Sequence, residues 1–330
     1  MNKPIAITMG DPAGIGPETI AMLYRDAAKP AASFSMANTV VFGDANVMAR
    51  AADLVSCDVA CIPLVQVGAV CPYADLPGFG GIHAVAGRMA TESVRSAARA
   101  ALLGEVSAIV TAPLHKEALA LAGVDFPGHT ELLQSLCAAH VGKSIAQLPV
   151  RMMLANDELR TVLVSIHVPL REALDGLSTE GIVATIQITH DFLVRIGIPN
   201  PRIAVAGINP HAGEGGLFGR EEIEIIAPAV ALTKRMGINA NGPFAPDTIF
   251  MRARQTAQQN EWDVVIAMYH DQGLIPVKYM GLDAGVNVTL GLPIIRTSPD
   301  HGTAFDIAGT KKADPRGLLY AIAQARKFIS

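Results

Sequence analysis

The chain has 330 residues, of which 50% are hydrophobic and 17% are charged, and its formal net charge is −4. This length exceeds one ordinary domain, so we expect two domains. There is no block of Lys and Arg, and no run of about 20 apolar residues is free of charges, so we expect neither nucleic acid nor a membrane as a partner. The N-terminus lacks the features of a signal peptide and the four cysteines form no paired motif, so a cytoplasmic protein is expected.

Short β-branched segments alternate with longer segments rich in Ala, Leu and Glu. The predicted strands span residues 5–9, 39–42, 108–111, 161–166, 203–206 and 264–268. The predicted helices span residues 17–25, 87–103, 181–196 and 220–236. This alternation favours an α/β fold with a mostly parallel sheet, in which active residues follow the carboxyl ends of strands.

Three histidines, His167, His211 and His270, each follow a predicted strand in a polar loop. Imidazole is the commonest neutral metal ligand, and loops from distant parts of a chain can converge in space. The sequence therefore predicts a divalent-metal centre. The alternative, hydrogen-bonded structural histidines, is the commoner role for isolated histidines in a chain of this length.

A glycine-rich loop joins the first predicted strand to the first predicted helix, and it reads GDPAGIGPE over residues 10–18. Its glycines do not have the spacing of a dinucleotide-binding fingerprint. The free amides of such a loop can hold an anion, and a tight turn that lets strand and helix pack is an equal alternative. Asp11 stands out as an acid at the carboxyl end of a strand.

Two further groups of polar residues suggest binding. His129 and Thr130 precede an apolar segment, where Thr130 could instead cap a helix. Lys278, Asn287 and Arg296 are isolated donors within a segment dominated by apolar residues, which is typical of a pocket for a small anionic ligand. A solvated surface is the alternative for each of the three.

Seven segments between Gly10 and Gly309 closely resemble the PdxA family of metal-dependent, NAD-linked dehydrogenases. In family order they read GDPAGIGPE, TAPLHKEAL, GHTELL, NPHAGEGG, MYHDQG, GVNVTLGLPIIRTS and DHGTA. The resemblance implies an isopropylmalate/isocitrate dehydrogenase-like fold of two α/β/α domains, with the active site in the interdomain cleft. It also implies a homodimer with shared active sites. Residues 1–130 with 300–330 would form the domain on the cofactor side, and residues 131–299 the domain on the metal and dimer-interface side.

The resemblance assigns roles to the candidate residues. One divalent ion would be held by His167, His211 and His270, the last supplied by the partner subunit. Zinc suits these ligands best, with magnesium, manganese or cobalt as alternatives. The residues contacting the substrate would be His129, Thr130, Lys278, Asn287 and Arg296.

The last motif is similar to the adenosine-binding loop of isopropylmalate dehydrogenases. It places the adenosine of NAD or NADP near His301, Thr303 and Asp306. The general base stays open between Lys116, Asp247 and a metal-bound water.

The activity that the resemblance implies is NAD(P)-linked oxidation of 4-phosphohydroxy-L-threonine to a 3-oxo acid, which decarboxylates to 3-amino-2-oxopropyl phosphate in pyridoxal phosphate synthesis. The partner is thus a phosphorylated small-molecule hydroxy acid. A paralogous activity on D-threonate or D-erythronate 4-phosphate is the chief alternative, because the candidate residues bind what these substrates share. A cis-dihydrodiol carboxylate dehydrogenase, a phosphate-acyltransferase-like enzyme and a metabolite-binding protein are further alternatives.

Overall fold

The computed structural model describes residues 3–255, 261–281 and 285–329. The chain forms two compact units. The first unit comprises Met1–Pro149 and Leu292–Ser330, and the second comprises Val150–Gly291.

The parallel sheet of the first unit contains β1 (Ile5–Thr8), β2 (Thr39–Gly43), β3 (Leu64–Gln66), β4 (Ala108–Thr111) and β11 (Arg296–Pro299), in the order β3-β2-β1-β4-β11. Every residue of β1 and β4 is buried, as expected for central strands covered on both faces. The helices are α1 (Gly16–Ala27), α2 (Ala45–Val55), α3 (Ala84–Leu102), α4 (Lys116–Leu121), α5 (His129–His140) and α11 (Arg316–Ile329).

The second unit has a mixed sheet. Its strands are β5 (Arg151–Ala155), β6 (Arg160–Leu163), β7 (Ile203–Ala206), β8 (Ala240–Phe244), β9 (Val264–Ala267) and β10 (Val286–Leu290), in the order β10-β5-β6-β9-β7-β8. The pairs β10 with β5 and β5 with β6 are antiparallel, whereas β6, β9, β7 and β8 run parallel.

Five α-helices are described in the second unit: α6 (Leu170–Asp175), α7 (Thr179–Arg195), α8 (Ala227–Arg235), α9 (Pro246–Arg252) and α10 (His270–Tyr279). A π-helical turn, Glu222–Ile226, precedes α8. The core on one side of the sheet packs Leu154, Leu163 and Ala267 against Ile249 and Val277. This packing fixes α9 and α10 on the sheet that carries the histidine loops.

The unit boundaries differ from the predicted domain boundaries at 130 and 300. Residues 131–149 and 292–299 belong to the first unit, not to the second. The reason is that α5 packs on α3, and β11 pairs with β4. The predicted α/β class with a mostly parallel sheet is confirmed. Within the described residues, no helix is both long and apolar enough to span a membrane.

Candidate active site

The three candidate metal ligands follow three neighbouring parallel strands of the second unit. His167 lies in the loop after β6, His270 begins α10 directly after β9, and His211 lies in the loop after β7. These strands are adjacent in the order β6-β9-β7. Because they run parallel, their carboxyl ends share one edge of the sheet, and this edge presents all three loops.

Two of the histidines lie together. The ring centroids of His167 and His270 in one chain are 5.6 Å apart. Two imidazoles that share one ion are expected at roughly this separation, because zinc to nitrogen distances are about 2.1 Å. Both rings line a pocket of about 250 Å³ with Ser165, Tyr269 and Asp271. A larger groove of about 790 Å³ in the first unit is lined by none of the candidate site residues.

Two of the candidate ligands form a hydrogen bond between Nδ1 and a carboxylate. Asp271 Oδ1 lies 2.7 Å from His270 Nδ1, and Glu214 Oε2 lies 2.8 Å from His211 Nδ1. The hydrogen bond to Glu214 raises the pKa of His211 above its ordinary value. A carboxylate that accepts the Nδ1 proton leaves Nε2 with a free lone pair, and this is the usual arrangement around metal-binding histidines. The donor chemistry of these residues therefore fits a divalent ion.

The complete set of three histidines stays a prediction. Within residues 3–255, 261–281 and 285–329, no three His, Cys, Asp or Glu side chains are gathered as a metal-binding group. His211 is exposed on its loop, and Asp247, an exposed residue in the first turn of α9, contributes to the raised pKa of His211. Lys278 is in the last turn of α10, and the half-buried Asn287 is on β10.

The first unit brings Arg296 and His129 together. Arg296 is 4% exposed, and its Nε and Nη2 donate to Thr111 Oγ1 at 3.1 and 2.8 Å. Burial lowers the pKa of Arg296 to about 10, with the charge of Glu131 acting in the opposite direction. Burial also lowers the pKa of His129 well below its ordinary value, and the charge of Arg296 lowers it further. A buried cation beside a neutral imidazole suits an anionic ligand.

His129 Nε2 is buried and has no hydrogen-bond partner within the described part of the chain. Such an orphaned donor or acceptor is costly, so a ligand atom at this position would satisfy it. Thr130 lies in the first turn of α5, whose N-cap is Gly128, so the capping alternative for Thr130 does not apply.

The glycine-rich loop is a tight turn, and four of its backbone amides already donate hydrogen bonds within the protein. The amides of Asp11, Ala13, Gly14 and Ile15 donate respectively to Pro113 O, Asp11 Oδ1, Asp11 O and Thr303 O. A Cβ on Gly10, whose φ is +73°, would lie 2.5 Å from Pro113 O. These contacts favour the packing role of the loop over anion binding.

Asp11 is fully buried, and its Oδ2 lacks a hydrogen-bond partner among the described residues. Burial raises the pKa of Asp11, while the Ala13 amide and the nearby His115 and His83 act in the opposite direction. The ring of His115 stacks on Phe305 with centroids 4.8 Å apart. The loops after β1, β4 and β11 thus meet in the first unit.

Of the predicted cofactor residues, Thr303 is buried and its carbonyl accepts the Ile15 amide, which joins its loop to the glycine-rich turn. His301 and Asp306 are exposed. The candidate base Lys116 is exposed at the start of α4.

The acids that contact the histidine loops have no role predicted from the sequence. Glu214 and Asp271 stand three and one residues after their histidines, so the spacing within each motif was a usable signal. Glu222 is buried under the His211 loop, 13 residues from Asn209, and no local pattern marks that contact.

Comparison with known proteins agrees with this fold. A family-wide sequence profile described as "Pyridoxal phosphate biosynthetic protein PdxA" matches residues 35–325. A 4-hydroxythreonine-4-phosphate dehydrogenase of Beijerinckia indica is 48% identical, over 99% of this chain and 96% of its own. A D-threonate 4-phosphate dehydrogenase of Pectobacterium atrosepticum is 43% identical, over 99% of this chain and 100% of its own.

A solved structure, the 4-hydroxythreonine-4-phosphate dehydrogenase of Klebsiella pneumoniae, has a TM-score of 0.86 at 42% identity, and the match covers 100% of both chains. The curated relatives are dehydrogenases, so the class that the fold and the matches define is an oxidoreductase of the α/β type. The chain belongs to the PdxA family, which confirms the resemblance seen in its motifs.

Proposed function

We propose that the protein catalyses the metal-dependent, NAD(P)-linked oxidation of 4-phosphohydroxy-L-threonine. The observation that carries this proposal is the placement of His167, His211 and His270 after three adjacent parallel strands, at one edge of the second unit's sheet. The name of the Beijerinckia indica relative supports the choice of substrate. The buried Arg296 supports a phosphorylated, anionic substrate.

The residues that would hold the ion are His167, His211 and His270. When bound, a divalent ion supplies positive charge that acidifies the substrate hydroxyl and polarises the ketone that forms. Glu214 and Asp271 orient two of the rings by accepting their Nδ1 protons. The hydroxyl proton passes to a base, for which Asp247 and Lys116 are the candidates.

Oxidation removes a hydride from the carbinol carbon and a proton from its hydroxyl. A dinucleotide held near His301, Thr303 and Asp306 would supply the hydride acceptor, and the base would take the proton. The product is a 3-oxo acid. Its bond between the carboxylate and the neighbouring carbon breaks, carbon dioxide leaves, and the electron pair passes toward the ketone. Protonation then gives 3-amino-2-oxopropyl phosphate.

The remaining roles belong to the same proposal. The residues that would contact the substrate are His129, Thr130, Lys278, Asn287 and Arg296, with the basic residues facing its phosphate and carboxylate. The cofactor adenosine would lie near His301, Thr303 and Asp306. We also propose a cytoplasmic homodimer.

The second candidate activity is oxidation of D-threonate or D-erythronate 4-phosphate, with decarboxylation to dihydroxyacetone phosphate. The observation in its favour is the 43% identity to the Pectobacterium atrosepticum D-threonate 4-phosphate dehydrogenase across nearly the whole chain. A substrate panel separates the two activities. Under our proposal, kcat/KM is highest for 4-phosphohydroxythreonine. A higher kcat/KM for threonate or erythronate 4-phosphate would contradict the proposed activity and support the second candidate.

The metal site is tested by the metal content and activity of His167→Ala, His211→Ala and His270→Ala, with His140→Ala, at the end of α5, as the matched control. Loss of one of three ligands should abolish turnover and lower metal retention, while the control keeps both. Unchanged metal content in all three variants would refute the site.

A further inference from the structure

The loop that bears His211 packs against the buried carboxylate of Glu222. Glu222 is 3% exposed. Its Oε1 accepts the backbone amides of Ile208 and Asn209, both at 2.8 Å, and its Oε2 accepts Asn209 Nδ2 at 2.9 Å. A Cβ on Gly207 or Gly213 would lie within 2.9 Å of a Glu222 carboxylate oxygen, so both glycines let the loop close over this side chain.

Asn209 is held in one orientation. Its Nδ2 donates to Glu222 Oε2 and also to Glu221 Oε2, the latter at 2.6 Å. Because both neighbours are carboxylate oxygens, the amide nitrogen and not the amide oxygen must face them. The carbonyl of Asn209 accepts the Ala212 amide at 3.1 Å, so the anchored residue leads directly into the turn that bears His211.

That turn has an unusual backbone. The five residues from His211 to Gly215 all have positive φ, from 44° to 77°. Three of them, His211, Ala212 and Glu214, are not glycine, and each such residue in the left-handed region costs about 1 kcal/mol. A strained backbone segment persists only where the surrounding structure stabilises it, and the hydrogen bonds of Glu222 provide that stabilisation here.

A second link joins this loop to the His270 loop. Gln272, in the first turn of α10, accepts the Met268 amide on its Oε1 at 2.6 Å and donates from its Nε2 to Gly207 O at 2.7 Å. Glu222 and Gln272 therefore form hydrogen bonds to the same turn, residues 207–209, from two different helical elements. The turn is fixed both to the π-helical turn before α8 and to the start of α10.

We propose that Glu222 and Gln272 are positioning residues of the metal centre: Glu222 sets the backbone that presents His211, and Gln272 fixes that backbone relative to His270. The inference rests on the proposed metal-binding role of these histidines. Neither side chain is assigned as a ligand. Residues that orient metal ligands typically contribute about 10- to 100-fold in metal affinity.

The test compares Glu222→Gln with Glu224→Gln. Both remove one carboxylate from the same π-helical turn, but Glu224 is exposed and pairs only with Arg220 in the contacts described. The glutamine oxygen can still accept the hydrogen bonds from the Ile208 and Asn209 amides. The glutamine amide nitrogen would face Asn209 Nδ2, and two donors cannot form a hydrogen bond with each other. The dissociation constant for cobalt, measured by competition with a chelator, should rise about 10- to 100-fold in Glu222→Gln. It should stay within about twofold in the control.

The visible absorption of bound cobalt gives a readout that loss of stability alone would not change, because it reports ligand geometry. We expect an altered cobalt spectrum in Glu222→Gln and a wild-type spectrum in Glu224→Gln. Equal affinities and equal spectra in the two variants would overturn the inference. If Glu222→Gln does not fold, Gln272→Met, which severs the link to Gly207, takes its place with the same expected changes.

Hydrogen exchange of the Ile208 and Asn209 amides in metal-free protein separates this inference from the proposed function. Exchange should be faster in Glu222→Gln than in Glu224→Gln whether or not metal binds. Wild-type protein that binds no cobalt would refute the metal site. Faster exchange in Glu222→Gln would still show that Glu222 stabilises the loop. Equal exchange in the two variants would refute that stabilising role.

Discussion

Arg296 is a buried cation whose surroundings suit an anionic ligand. Its guanidinium contacts Thr111, and it lies near enough to His129 to lower the pKa of that ring. A phosphate group would accept charge-assisted hydrogen bonds from this guanidinium, and it would satisfy the buried Nε2 of His129.

We predict that Arg296→Lys lowers kcat/KM for the phosphorylated substrate. A lysine cannot reproduce the planar, two-point contact of a guanidinium, and losing one charge-assisted contact costs about 1.5 to 3 kcal/mol, or roughly 10- to 150-fold. Steady-state kinetics with the dephosphorylated analogue should show little further loss. Arg316→Lys, an exposed residue paired with Asp314, is the control. Equal losses with both substrates would argue against a phosphate at Arg296.

The neutral state of His129 predicts a pH dependence of stability. Because burial holds its folded pKa below 6.5, the unfolded chain takes up a proton below that pH and the folded chain does not. Stability present above pH 6.5 is therefore lost as the pH falls, by up to about 1.4 kcal/mol per pH unit.

Urea unfolding of wild type and His129→Gln between pH 7 and 5 measures this effect. A glutamine does not titrate in this range, so the wild type should lose more stability on acidification than the variant. Parallel stability curves would show that His129 is protonated as readily in the folded chain as in the unfolded one.

At the scale of elements, the strands that position the site were predictable. The strands β6, β7 and β9 are runs of β-branched and apolar residues in a buried parallel sheet, and each precedes a histidine motif. The strand β8 was not predicted because its sequence, ANGPF, contains a glycine and a proline that disfavour strands. The strands β5 and β10 are not among the predicted strands either. They pair with each other across a long stretch of chain, and β5 also pairs with β6, the next strand along the chain.

Helix α10 was also missed, because Gly273 and Pro276 lower its helix propensity. Tertiary packing explains its formation. A Cβ on Gly273 would lie 2.5 Å from Leu163 Cδ2 and 2.9 Å from Ala267 Cβ, so glycine allows the helix to lie directly against β6 and β9. The position of His270 thus depends on a contact that the sequence alone does not reveal.

We predict that Gly273→Ala destabilises the protein and weakens metal retention. The added methyl group pushes α10 away from the sheet, which costs about 1 to 3 kcal/mol and is only partly offset by about 1 kcal/mol of helix propensity. Urea unfolding and metal analysis measure the two effects. Gly78→Ala, whose Cβ would meet nothing within 4 Å, should change neither. A Gly273→Ala protein as stable as wild type would contradict this packing account.

At the scale of the whole molecule, the motifs identified the family, whereas the unit boundaries depended on contacts between distant segments. Residues 292–299 join the first unit because β11 pairs with β4, about 190 residues earlier in the chain.

We predict that coexpressed His167→Ala and His270→Ala proteins recover about a quarter of wild-type activity, because half of randomly paired dimers are mixed and each has one intact site of two. Either variant alone should be inactive. Demonstrated heterodimers without recovery would assign both rings to one site within a chain, an arrangement that their 5.6 Å separation also permits.

The central claim is that a divalent ion at these histidines is required for dehydrogenation of a 4-phosphorylated hydroxy acid. The most direct test follows NADH formation from 4-phosphohydroxythreonine. Wild-type protein is first stripped of metal with a chelator and is then supplied with zinc, magnesium, manganese or cobalt. We expect no NADH from the stripped protein and restored turnover with at least one of these ions. Turnover that is unchanged after complete metal removal would contradict the account.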